Sequence, residues 1–249
     1  MSGVILGKGL DRDLKVYRIV PRKYFDDLFV NKKNVLVRPK LWGDPYENVA
    51  LTSKISVGNE VVDFGFADDI YGQCWSLHTS SDAMWQVFSQ GTDRTDGIRI
   101  RSTVGQLIDS LGASYPLPKM ACFIGKVRYA TDQELRSFAA NHFKGGLDDQ
   151  GHKIAETFLV KRNAFKHERE VRLIFNSPVG TLPNENLYRY DFDPYSMIDQ
   201  IMLHPKIDKT EADTLKKVIK DYYGWNGHIK QSNLYRRTQK FVFPIGLGS

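Results

Sequence analysis

His167-Glu168-Arg169-Glu170-Val171-Arg172-Leu173-Ile174-Phe175 is the stretch on which the reading of this chain turns. From Glu170 the pattern alternates. Val171, Leu173 and Phe175 fall on one side and Glu170, Arg172 and Ile174 on the other, the period of two that marks a strand. Carried back to Glu168, the same parity puts Glu168, Glu170 and Arg172 in one row, neighbours about two residues of strand rise apart. Two carboxylates and a cation on one face read in two ways. They form a solvated sheet edge, or a catalytic row over a cleft in which like charge pushes one pKa upward.

The segments around this stretch are short and punctuated by Pro and Gly. Residues 14–20 alternate, with Leu14, Val16, Arg18 and Val20 on one face and Lys15, Tyr17 and Ile19 on the other. Residues 71–77, Tyr-Gly-Gln-Cys-Trp-Ser-Leu, predict a buried strand. Its parity sets Gly72, Cys74 and Ser76 on a face of small side chains with room for a ligand, and Trp75 on the other. Helices are predicted over 23–29, over 106–111, and from a Ser81 or Asp82 cap through Met84, Trp85, Val87 and Phe88 to near Gly91. Residues 97–101 and 123–129 read as strands. Thr131-Asp132-Gln133-Glu134 is a capping box that opens a helix, and a second helix is expected over 154–162. A strand at 198–203 precedes a helix at 210–223 stopped by Gly224. Short strands near 228–231 and 240–243 close the chain, and the residues before Leu14 read as a loose arm. A regular strand-helix alternation is absent, so a doubly wound parallel sheet is disfavoured and the fold class is α+β.

Composition narrows the function classes. At 249 residues, with 41 % hydrophobic and 26 % charged residues, the chain has globular proportions rather than disordered ones. It shows no repeat, low-complexity tract or linker, so 1–249 reads as a single domain. Cys74 and Cys122 are the only cysteines, too few for a disulfide scaffold or a zinc spacing. No apolar run nears the roughly 20 residues of a membrane span, and no signal peptide is recognisable. A soluble, cytoplasmic protein is expected. From Ile201 onward nine bases face four acids, which is five of the net charge of +6. The basic strand-helix-strand part, 198–249, is a footprint for nucleic acid or simply a solvated helix face.

Phosphate-binding, dinucleotide, zinc-protease and serine-hydrolase motifs are all missing, and the six histidines offer no metal-ligand spacing. Three features remain. Arg18 lies on an apolar strand face, where a guanidinium needs a partner: a bound phosphate or a structural carboxylate. Ser76 ends the small face, as a pocket residue or as a serine satisfied by local backbone. The Glu168 and Glu170 pair is the third.

An Arg on an early strand, a Ser on a middle strand and Glu-x-Glu on a late one resemble the Arg-Ser-Glu class of ADP-ribosyltransferases. The resemblance implies a split antiparallel sheet with flanking helices and NAD as co-substrate. It gives Arg18 the NAD phosphates, Ser76 the nicotinamide-ribose pocket and Glu170 the ribose and the developing sugar cation. Glu168 becomes the acceptor-side carboxylate, the two glutamates exchanging roles if the register shifts by two. Trp85 or Tyr46 supplies an aromatic wall for nicotinamide. The class's Ser-Thr-Ser is replaced by Cys74-Trp75-Ser76-Leu77, with Thr79-Ser80-Ser81 close by.

A second resemblance spans most of the chain: Tyr17-Arg18, Asp44-Pro45-Tyr46-Glu47, Cys74-Trp75-Ser76, Met84-Trp85, Phe158-Leu159-x-Lys161-Arg162 and Glu168-x-Glu170-Val171-Arg172-Leu173. It is similar to a widespread family of uncharacterised bacterial proteins, which implies a bacterial or phage setting and, by analogy, a toxin restrained by a cognate antitoxin. The acceptor is expected to be nucleic acid, RNA before DNA, with protein side chains as the alternative. Competing readings are a binding module that keeps Arg18 and Glu170 as a structural ion pair, and a nuclease whose Asp44, Glu47, Glu168 and Glu170 gather magnesium.

Overall fold

The computed structural model describes residues 4–44, 47, 54–57, 60–63, 69–79, 81–89, 94–114, 121–148, 151–177, 185–236 and 240–244. Its strands, in chain order, are β1 (Val4–Leu6), β2 (Lys15–Pro21), β3 (Lys33–Val37), β4 (Lys54–Val57), β5 (Glu60–Asp63), β6 (Ile70–Ser76) and β7 (Gly97–Thr103). They continue as β8 (Ala121–Lys126), β9 (Arg128–Ala130), β10 (Val160–Arg162), β11 (Glu170–Asn176), β12 (Leu187–Asp191), β13 (Gln200–Leu203) and β14 (His228–Gln231). The helices are α1 (Arg22–Asn31), α2 (Asp82–Phe88), α3 (Val104–Ala113), α4 (Asp132–Asn141), α5 (His152–Thr157), α6 (Pro194–Met197) and α7 (Lys209–Lys217), the last running on as a π-helical turn, Val218–Tyr222.

Among the described residues ten strands share one sheet, ordered β1-β8-β11-β6-β2-β7-β13-β14, with β12 and β3 joined at β6. The outermost pairs, β1–β8 and β13–β14, are parallel, and the pairs between them are antiparallel. The sheet splits at β6. Its Ser76 end pairs with Tyr17 of β2 and its Gly72 end with Val37 of β3. A mixed α/β architecture around a mostly antiparallel sheet agrees with the α+β class read from the irregular order of elements and with the split antiparallel sheet that the resemblance implied.

Strand parity sorts the core. Val16, Val20, Trp75, Ile98, Ile100, Val171, Leu173, Phe175, Ile201 and Leu203 turn to one face and pack with Phe25, Leu107 and Leu215 of the helices in the main cluster. The opposite face carries two smaller clusters. One, Ile70, Phe123 and Ile174, lies against Ile154, Ala155 and Phe158; the other sets Ile19 against Met84 and Trp85. Between them the same face carries polar side chains, and that gap holds the candidate site. α4 opens with the capping box: Glu134 N–H donates to Thr131 Oγ1 (3.3 Å), and Thr131 N–H donates to Glu134 Oε2 (2.7 Å).

Several expectations change. The helix expected over 154–162 ends at Thr157, because the Leu159 carbonyl takes the Arg128 N–H and Val160–Arg162 pair parallel with β9. The strand expected over 123–129 breaks at Val127, whose N–H turns to the Glu170 carbonyl (2.9 Å). The arm before Leu14 is anchored, since Val4–Leu6 pairs with Cys122–Ile124. Residues 240–243 form no strand, and Phe241, Val242 and Phe243 stand exposed. β12 was not anticipated; its Tyr188 and Tyr190 stack on the main cluster at the edge of β3.

Candidate active site

β11 is a central strand, between β8 and β6, so it is no sheet edge, and its charged face is covered, with Glu170 and Arg172 buried. The register places Glu170 opposite Ser76, and Ser76 opposite Tyr17. Directly paired residues point to the same face, so the three form one row, continued by Arg101. Glu168 reaches this row by a different route from the one its sequence parity suggests. The strand starts at Glu170, and Arg169 stands in the left-handed region (φ 45°) after a 3-10 segment, Asn163–Glu168. That turn swings the Glu168 carboxylate back beside Glu170.

Both carboxylates converge on a cation that strand reading alone did not find. Lys161 Nζ lies 2.5 Å from Glu168 Oε2, 3.2 Å from Glu170 Oε1 and 2.6 Å from Glu47 Oε1. Arg172 closes the other side: its Nε donates to Glu170 Oε2 (2.7 Å), its Nη1 donates to the Phe158 carbonyl (2.8 Å), and its Nη2 is 3.1 Å from Glu47 Oε2. The Arg172 guanidinium also lies 4.4 Å over the Trp42 ring. Glu170 is only 6 % exposed, and Arg172 is wholly buried. Beside them Arg162 holds Asp44 through two hydrogen bonds (2.8 and 3.2 Å). Three of the four carboxylates in the magnesium reading therefore already point at one ammonium, and the fourth at a guanidinium. Lys161 escaped strand reading because it lay inside the expected helix. Its signal was the string Lys161-Arg162 ahead of three charged core positions.

The two glutamates are driven apart in acidity. Burial, then a hydrogen bond with Glu170, pushes the Glu168 carboxyl up to about 7. For Glu170, burial is overcome by the Arg172 charge, the Glu168 hydrogen bond and Lys161, which hold it below its ordinary value. One carboxylate stays ionised while its neighbour titrates near neutrality, the division of labour that acid–base chemistry uses.

Ser76 serves the backbone. Its Oγ donates to the Glu168 carbonyl (2.7 Å) and accepts from the His78 N–H (3.0 Å). The room expected over Gly72 is filled: a Cβ there would stand 2.6 Å from Trp42 Cζ2. What space remains lies at the other end of the row, in a cleft lined by Tyr17, Ile19, Ser76, His78, Ser81, Met84, Trp85 and Arg99. It brings Ser76 and Trp85, both expected on the nicotinamide side, into one place with Tyr17, expected only as a cofactor-binding residue. Its cavity volume is about 10 Å³, space for about one water. Arg99 is the residue missed here. It stacks 4.8 Å over the Tyr17 ring, bonds the Thr79 carbonyl and Gln200, and leaves its buried Nε without a hydrogen-bond partner among the described residues. Tyr46 lies outside the described residues.

Arg18 stands apart from this row. One residue on from Tyr17, it turns to the main-core face at the point where β2 leaves β6. It is half-buried, and burial lowers its pKa, opposed only by Cys74 and Tyr190. No carboxylate pairs with it among the described residues, so the expected alternative of an Arg18–Glu170 ion pair is replaced by Glu170 pairing with Arg172 and Lys161. Cys74 is the electrostatic neighbour of both Arg18 and the glutamate cluster; burial, reinforced by Glu170, drives its thiol up to about 12.

No family model matches the chain, and no curated protein matches it. Among the solved structures that align with it are three of one protein. Thermus sp. 2.9 DarT in complex with NAD+ aligns with a TM-score of 0.41 at 9 % identity, over 90 % of this chain and 97 % of that one. The same protein in complex with ADP-ribosylated ssDNA gives 0.41 at 8 % identity over 93 % and 98 % of the two chains, and in complex with carba-NAD+ 0.39 at 10 % over 89 % and 97 %. Among the described residues no helix is long and apolar enough to cross a membrane.

Proposed function

We propose that the protein is an NAD-dependent ADP-ribosyltransferase acting on nucleic acid, RNA or single-stranded DNA. The observation that supports it most is the convergence of the buried Glu170 and Glu168 carboxylates on Lys161, beside Ser76 and Tyr17; the opposite directions in which their acidities are pushed agree with it. NAD supplies a ribose carbon joined to a positively charged leaving group, so the reaction needs little acid help. It needs fixed negative charge beside the ribose and a base for the acceptor. Ionised Glu170 provides the charge. Glu168, titrating near 7, takes the proton that an amine or hydroxyl acceptor loses as its lone pair bonds to the ribose carbon.

Two arginines suit the rest of the co-substrate. Arg18 is a half-buried cation with no carboxylate partner among the described residues, the state expected of a phosphate ligand. Arg99 offers a spare N–H to a carboxamide or phosphate oxygen in the Tyr17–Trp85 cleft. Because that cleft holds about one water, it must widen to admit a ring. A toxin role with a cognate inhibitor protein, in the bacterial cytoplasm, belongs to the same reading by analogy.

The complete pairing of the carboxylate cluster supports a second reading, a binding module in which Glu168 and Glu170 are purely structural. Labelled NAD offered with total RNA, single-stranded DNA and cell lysate separates the two. Nicotinamide release with label transfer to one nucleic-acid pool, lost in Glu170→Gln, supports the transferase. A folded protein that releases no nicotinamide from any mixture supports the module.

A further inference from the structure

On the far side of the β9–β10 ladder from the carboxylates lies an open cleft of about 620 Å³, the size of a small-ligand site. The ladder is its shared wall. Lys161 pairs with Tyr129 and turns to the glutamates, where the Tyr129 hydroxyl accepts the Glu170 N–H (2.8 Å). Val160 pairs with Arg128, and both turn the other way, into the cleft. Lys8, Lys126 and Arg128 line it with their heads exposed, against one acid, Glu156. Among the described residues Lys126 bonds a backbone carbonyl, that of Gly9 (2.9 Å), and Glu134 is the acid whose charge acts on Arg128. Between these cations the cleft presents rings. Phe138 lies with the Arg128 guanidinium 5.2 Å over its face, and His152 meets Phe123 edge-on at 5.6 Å.

Three cations against one lining acid, with rings between them, match a polyanion whose units carry flat rings. We propose that this cleft binds single-stranded nucleic acid, with phosphates on Lys8, Lys126 and Arg128 and a base against His152, while the Phe138 ring, packed between Arg128 and His142, holds the Arg128 guanidinium in place. Calling that strand the acceptor rests on the transferase reading. Its binding does not, since it is measured without NAD. The assignment moves the nucleic-acid face from the basic C-terminal part, where the Lys216, Lys217 and Lys220 charges stand on a helix, to the β1–β8 edge beside the carboxylates.

The test uses fluorescence anisotropy of the full chain with labelled single-stranded RNA and DNA oligonucleotides, from about 50 to about 200 mM salt, a range over which exposed phosphate contacts are progressively screened. The double variant Lys126→Glu, Arg128→Glu changes exposed side chains only. It is expected to weaken strand binding about tenfold or more and to flatten the salt slope by about 1.4, roughly 0.7 per lost phosphate contact. Lys216→Glu, Lys220→Glu is the comparison and is expected to retain binding within about twofold, an exposed-surface effect. Polyglutamate, an acidic chain with no rings, is expected to compete poorly. The proposal is overturned if the cleft variant binds like the parent, if the helix variant carries the loss, or if polyglutamate displaces the strand as well as unlabelled oligonucleotide does. Loss of transferase activity with strand binding intact, or the reverse, separates the two readings.

Discussion

The Ser76 hydroxyl donates to the main-chain carbonyl of Glu168, 92 residues away in sequence, at 2.7 Å. The serine thereby fixes the turn that aims Glu168 at Glu170, whatever else enters the cleft. It is a positioning residue for the carboxylate pair.

Ser76→Ala leaves the Glu168 carbonyl and the His78 N–H without that partner in a site where Ser76 is 4 % exposed. The expected loss is about 1–3 kcal/mol of folding stability, the cost of stranding buried polar groups. Urea unfolding measures it. A variant as stable as the parent shows that the hydroxyl does not hold this turn.

Lys161→Met turns Glu47, Glu168 and Glu170 on one another with no ammonium between them. Removing one partner from a buried ion cluster costs about 3–5 kcal/mol. Adding Glu47→Gln, which removes one of the facing charges, is expected to recover part of that loss. Independent, additive effects of the two substitutions would show that they do not share a network.

The pH dependence follows from Glu168, whose folded pKa is raised from 4.5 to about 7. Between those values the folded state holds a proton that the unfolded chain has released. Stability from this group is therefore full below about 4.5 and declines as pH rises to about 7, by at most about 1.4 kcal/mol per pH unit. Glu170 acts in the opposite sense: its pKa is lowered, and its contribution disappears only as acid protonates it. Thermal melts across pH 5–8 are expected to show the decline in the parent and not in Glu168→Gln. On the transferase reading, turnover rises over the same interval as Glu168 becomes a base.

Arg18→Met separates binding from folding. Burial already lowers the Arg18 pKa, and no carboxylate pairs with it among the described residues. An apolar chain of similar length is expected to leave the melting temperature unchanged or raised. NAD affinity, read by calorimetry, is expected to fall at least about tenfold, the weight of a charged hydrogen bond at about 1.5–3 kcal/mol. A marked drop in melting temperature with NAD affinity intact would make Arg18 structural instead.

Gly72→Ala tests the wall behind Arg172. The new Cβ meets the Trp42 ring at 2.6 Å, and that ring carries the Arg172 guanidinium on its face. Overpacking of this kind costs about 1–3 kcal/mol, read by denaturant unfolding. An unaffected protein would show that Trp42 can move aside.

Local pattern determined a large part of this protein by itself. The period of two in residues 14–20, 71–77 and 170–175 assigns three neighbouring strands and the side to which each residue turns, because parity is a property of the extended backbone alone. The capping boxes and the Gly224 stop are likewise written locally, since their hydrogen bonds close within a few residues. The Arg-Ser-Glu order was legible too, though order says nothing about distance. Tertiary structure decided the rest. Register, set by long-range pairing, put Tyr17 rather than Arg18 in the row with Ser76 and Glu170. Parallel pairing with β9 overrode the helix expected at 154–162 and delivered Lys161 to the carboxylates. The left-handed turn at Arg169, and not strand parity, brought Glu168 beside Glu170. Each of these depends on partners far away in sequence, whose identity a local pattern cannot carry.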